Sequence, residues 1–88
     1  MISFDVIWTR IDDNQGEVFR QIKGKLFKFD VRHSAVCPDT VNQQIPRGDF
    51  ERASALLPLK NTVKVQHLRG PSYIFAILMD KRIRRADW

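Results

Sequence analysis

Tyr73 to Met79 are seven consecutive apolar residues, and in a chain of 88 no other feature restricts the fold as much. Pro71, just before them, fixes φ for a first helical position, and in the Gly70-Pro71-Ser72 corner Gly70 or Ser72 sits where the orphan N–H groups of a helix start need partners. The spacing predicts a helix from Pro71. Such a helix has no polar face, so the rest of the chain must cover it on most sides. The run is far short of the roughly 20 residues that a membrane-spanning helix needs, and no membrane partner is expected.

The remaining segments supply the cover. In ISFDVIWTRIDDNQG, Phe4, Ile7, Trp8 and Ile11 recur at the helical period, with Ser3 placed to cap the start and Gly16 to end the helix. Ile2, Phe4, Val6 and Trp8 also alternate as a strand would, but the helical reading is preferred. From Glu17 the period changes to two. Phe27, Phe29 and Val31 fall on one face, Lys28, Asp30 and Arg32 on the other, and Lys23-Gly24 offers a turn, which together predict a hairpin with a basic face. SAVCP suggests a further strand stopped by Pro38, and TVNQQI an extended edge or loop. Phe50, Ala53, Leu56 and Leu57 restore the helical period until Pro58 breaks it, and a strand is expected around Val63 to Val65. The sum is an α+β fold: residues 1–88 as one small domain, an antiparallel sheet of two to four strands packed with about three helices. This order matches neither a helix-turn-helix nor an RNA-recognition module.

The formal charge of +5 is segregated along the chain. Residues 1–17 carry a net −3, residues 18–37 and 61–88 each +4, and residues 38–60 balance. Such a field concentrates polyanions, nucleic acid above all, and serves an acidic protein equally well. Three places could hold a phosphate. Arg69, the amides near Gly70 and the Ser72 hydroxyl form one, at a helix start. Lys81, Arg82, Arg84 and Arg85 surround Ile83 at what reads as the end of the last helix. Arg20, Lys23, Lys25, Lys28 and Arg32 stand on or beside the hairpin. Each also has an ordinary explanation, as a capped helix start, a helix end complementing its dipole, or a solvated strand face.

Signals for catalysis and for metal are thin. His33, Cys37, Asp39 and His67 are too few and too scattered for a structural zinc site, so no metal or other cofactor is expected. Cys37 is more often a small buried hydrophobe than a nucleophile. Asp12, Asp13 and Glu17 suggest a metal-dependent nuclease, yet Pro38-Asp39 has no acid-x-lysine triplet to complete that motif. A metal-independent ribonuclease using His33 or His67 needs only scattered side chains. One cysteine cannot close an intrachain disulfide and no basic-then-apolar leader opens the chain, which leads to the expectation of a reducing, cytoplasmic setting.

The favoured expectation is therefore a small basic module that binds nucleic acid through the phosphate backbone with little base readout, using Lys28, Arg32, Arg69, Lys81, Arg82, Arg84 and Arg85. A protein-interaction or accessory subunit with an acidic protein partner is the alternative, and a metal-independent ribonuclease stands behind both. The ligand count generates a first test: thermal melting followed by circular dichroism should give the same Tm with and without chelator or reductant, and a lower Tm in chelator would reveal a metal that the composition does not announce.

Overall fold

The computed structural model describes residues 2–88, which form a small α+β fold with four α-helices and two antiparallel ladders. Helix α1 spans Phe4–Asp13 and buries Ile7 and Ile11, the inner positions of the predicted helical stripe. Asn14 caps its end, and Gly16, at φ 80°, turns the chain into the strands. Ser3 is the N-cap residue by position, but its hydroxyl makes no capping hydrogen bond.

Strands β1 (Phe19–Arg20) and β2 (Leu26–Phe27) pair with Phe19 opposite Phe27, while β3 (Phe29–Arg32) pairs with β4 (Ala35–Pro38), and β4 with β5 (Ile45–Pro46). The two ladders lie on opposite edges of one extended segment, 26–32. Phe29 O accepts from Gly16 N at 3.0 Å on the β1 side, and Lys28 O accepts from Asp39 N at 2.9 Å on the β4 side, the alternation of edges that a strand backbone imposes. Phe27 and Phe29 consequently face the core, and Leu26, Lys28, Asp30 and Arg32 are exposed. His33 and Ser34 join β3 to β4 as a two-residue turn, both at positive φ, which matches the right-handed twist of the strands. All four residues of β4 are buried, including Cys37.

Helix α2 (Arg47–Ser54) starts directly after Pro46 and buries Phe50 and Ala53. It stops short of the span its periodicity suggested, because the residue before a proline is disfavoured in the α region and Leu57 precedes Pro58. Residues Val63–Val65 form a single 3-10 turn rather than the expected strand. Val65 N bonds back to Thr62 O at 3.1 Å, and Asn61 Oδ1 accepts from Val63 N at 2.9 Å, so the segment satisfies its backbone within itself and only Val65 is buried.

Helix α3 (Pro71–Leu78) has Pro71 at its first position and buries Tyr73, Ile74, Ala76, Ile77 and Leu78, the enclosure its composition demands. The chain then breaks. The basic segment is not the end of α3 but a separate one-turn helix, α4 (Lys81–Arg84), because Asp80 adopts extended backbone and its carboxylate accepts from Arg82 N at 2.8 Å. That cap restarts the helix. Phe19, Phe27, Phe29 and Tyr73 form the aromatic centre, with Phe27 and Tyr73 edge-on at 4.8 Å and Phe19 and Phe29 at 5.2 Å between ring centroids. Among the described residues no helix is long and apolar enough to cross a membrane.

Gly70 starts α3 in the left-handed conformation at φ 62°, and a Cβ there would lie 2.6 Å from Cδ1 of the fully buried Ile45. Gly24, at φ 93°, has open space around it. Gly24→Ala should therefore cost only the left-handed penalty of about 1–2 kcal/mol. Gly70→Ala should cost that plus about 1–3 kcal/mol of overpacking. The difference is read from the two urea denaturation curves, and equal costs would mean that Ile45 yields freely.

Candidate functional site

The corner at residues 69–72 already contains an anion of its own. Asp49 Oδ2 accepts from the Arg69 backbone N–H at 3.0 Å, and Asp49 Oδ1 is paired with Arg52 at 2.6 Å. The amides of Tyr73 and Ile74 bond to Gly70 O, both at 3.0 Å, and no side chain, Ser72 included, caps the helix. A phosphate placed against the Arg69 amide would meet the Asp49 carboxylate. Left-handed Gly70 and Pro71 account for the start of α3, and the Arg69 side chain is left exposed beside it.

The C-terminal cations divide into inward and outward sets. Arg82 is held three ways: its guanidinium pairs with Asp80 at 2.9 Å, donates to Val18 O at 2.7 Å, and lies 4.0 Å from the centroid of the Phe19 ring. These contacts join α4 to β1. Burial pushes the Asp80 carboxyl up, but hydrogen bonds from the Arg82 side chain and backbone, together with its charge, outweigh this and hold Asp80 below its ordinary value of 3.8. The hydrogen bond to Asp80 raises Arg82 in turn, against a smaller opposing effect of burial. Arg84 turns toward the chain end, where its Nε donates to Trp88 O at 2.9 Å. Trp88 is fixed by its own Nε1 donating to Leu78 O at 2.8 Å, and Arg10 of α1 closes the assembly by pairing with Asp87 at 2.7 Å and donating to Ile83 O at 2.9 Å. Lys81 and Arg85 remain exposed.

On the strands, Arg20 stands opposite Leu26 on the outer face of the β1–β2 ribbon, and Lys28 follows on the same face. Lys28 and Arg32 have the same outward parity, about 13 Å apart at the rise of a strand, with Asp30 between them. The Lys28 amide also donates to Asp39 Oδ1 at 2.9 Å. The junction of the two basic regions is a surface concavity of about 520 Å³. Arg20 of β1 lines it from one side and Lys81 and Arg82 of α4 from the other, over a floor that includes Ile22, Phe75 and Met79.

Of the seven sequence-predicted residues, the fold thus brings Lys81 and Arg82 to one groove, leaves Lys28 and Arg32 exposed on the strands outside its lining and Arg85 exposed just after α4, turns Arg84 toward Trp88, and leaves Arg69 beside Asp49 at the start of α3. Arg20 belongs to the groove and was not among the seven. Its alternation with inward Phe19 is the same signal that singled out Lys28, and only the pairing of β1 with β2 shows which neighbours it acquires. Among the described residues, no three His, Cys, Asp or Glu side chains are grouped so that they could hold a metal ion. His33 lies in the β3–β4 turn and His67 beyond the 3-10 turn, both exposed. No family model, curated protein or solved structure matches the chain.

The Asp80–Arg82 pair generates a pH test. Asp80→Asn keeps a capping oxygen but removes the charge, so it should cost up to about 1 kcal/mol at neutral pH, as suits a partly exposed pair. Because the folded carboxyl lies below the unfolded value of 3.8, its stabilisation is complete above that value and is lost as the pH falls through the folded pKa. Urea midpoints of wild type and variant should therefore differ at pH 7 and draw together only as the pH falls below about 3.8, through the lower folded pKa. A constant gap at every pH would remove the ion pair as its cause.

Proposed function

We propose that this protein is a nucleic-acid-binding module that holds the phosphate backbone with the outer face of the β1–β2 ribbon and with α4. The observation that supports this most is the common groove of Arg20, Lys81 and Arg82, which unites two chain regions that each carry a net +4. Charge pairing adds to it. Arg10, Arg47, Arg52 and Arg82 form ion pairs with carboxylates, whereas among the described residues Arg20, Lys23, Lys25, Lys28, Lys81 and Arg85 form none. Unpaired cations, of which Arg20 and Lys81 share the groove, are what counterion release at a phosphate chain requires.

Lys81, Arg20, Lys28 and Arg85 are the contacting cations in this reading. Arg82 orients the groove wall, and Arg84 supports the C-terminal turn. Exposed Val18, Ile22 and Leu26 on the same ribbon favour a second reading, an acidic protein partner that also covers apolar surface.

The test is a salt series of binding to duplex DNA, single-stranded DNA and structured RNA. Arg20→Ala and Lys81→Ala should each leave the melting temperature within a few degrees of wild type, weaken binding across sequences, and reduce the slope of log K against log salt by about 0.7–0.9. No binding to any nucleic acid at low salt would end this reading.

A further inference from the structure

Resting on the phosphate-binding reading, we infer that the groove between β1 and α4 seats an unpaired base, so that the preferred ligand of this surface is single-stranded nucleic acid. A surface built only for phosphates needs cations and little else. Here the cations stand at the rim of an apolar floor: Ile22 is 55 % exposed at the tip of the β1–β2 hairpin, and half-buried Phe75 of α3 and Met79 at its C-terminal cap line the same groove. Duplex DNA keeps the faces of its bases stacked on one another and offers such a floor nothing to cover it. A single strand offers a π-face with a phosphate on either side, which matches an aromatic and aliphatic floor between Arg20 and Lys81. The volume, about 520 Å³, falls within the roughly 300–1,000 Å³ usual for sites that take a small ring system.

The one carboxylate on the groove wall does not spoil this complementarity, since Asp80 is committed to Arg82 at 2.9 Å. Ile22 also forms the edge of a second recess of about 320 Å³, where Gln21, Thr62, Gln66 and Ser72 present amide and hydroxyl groups beside Lys23. Those groups suit the hydrogen-bonding edge of a neighbouring nucleotide, and an aliphatic side chain shared by an apolar and a polar recess suits a strand whose successive bases are splayed apart. An acidic peptide would satisfy the rim, yet it has no planar ring repeated between its charges.

The experiment measures fluorescence anisotropy of a labelled oligothymidylate of about 12 nucleotides and of the equal-length duplex over a salt series, with polyglutamate as a third probe. Single strand should bind at least about tenfold more tightly than duplex. Phe75→Leu, which keeps an apolar side chain of similar bulk, should lower single-strand affinity by about 5- to 150-fold without changing the salt slope, because the lost contribution is stacking. Ile22→Ser, at an exposed position, should weaken the single strand several-fold with an unchanged Tm, and provides the test if Phe75→Leu does not fold. Equal affinity for strand and duplex, or indifference to both substitutions, would overturn the base seat while leaving the phosphate-backbone reading intact. Absence of binding to both nucleic acids would overturn the two together, and tighter binding of polyglutamate would replace them with an acidic protein partner.

Discussion

Helix α3 buries Tyr73, Ile74, Ala76, Ile77 and Leu78, and a helix with so little polar surface exists only where other elements enclose it. The enclosure explains the order of the molecule. The aromatic face of the strands supplies one wall through Phe27 against Tyr73, and β5 and α2 supply another, with Ile45 seated so close to Gly70 that a Cβ there would crowd it. The chain end returns to bond Leu78 O through Trp88. Elements of two residues, such as β1, β2 and β5, would have no stability alone, and hold here because each contributes buried side chains to the same core.

Much of this was legible from residue patterns, in proportion to how local the deciding interaction was. The stripe of Phe4, Ile7, Trp8 and Ile11 and the alternation of Phe27, Phe29 and Val31 record which way each side chain must point, and both correspond to the elements observed. Breaks in a pattern were harder to read. Nothing in the apolar run ending at Met79 requires the chain to stop and restart, and the restart follows from the Asp80 side chain competing with helix continuation, a choice between two local minima that the Arg82 contacts decide from outside. At Val63–Val65 the β-branched residues favoured a strand, but a strand needs a partner, and Thr62 O was the nearer acceptor.

The groove was legible only in fragments. Each basic region is visible as a run of charge, but whether Arg20 and Lys81 share a surface depends on the packing of α4 against β1, set by Arg82 on Phe19 and Val18 across more than sixty residues of chain. Sequence counts a cation without saying what it touches. Arg82, Arg84 and Arg10 serve the fold, stitching the basic turn to β1, to Trp88 and to α1, so the apparent richness of charge near the C-terminus overstates how much of it faces outward. The hairpin tip is the reverse case, because among the described residues its lysines form no ion pair and its isoleucine stays largely exposed.

The pairing of Asp80 with Arg82 also decides which environmental variable this surface can sense. The groove wall contains arginine, lysine and one aspartate held below its ordinary range, and no histidine. Its sign consequently stays positive throughout the physiological range of acidity, where histidine would have been the group to change. Mobile ions, by contrast, reach an open groove and attenuate its field within roughly 8–10 Å at ordinary ionic strength. A cell could tune such a surface through its salt and polyamine content, while acidification would leave it unmoved.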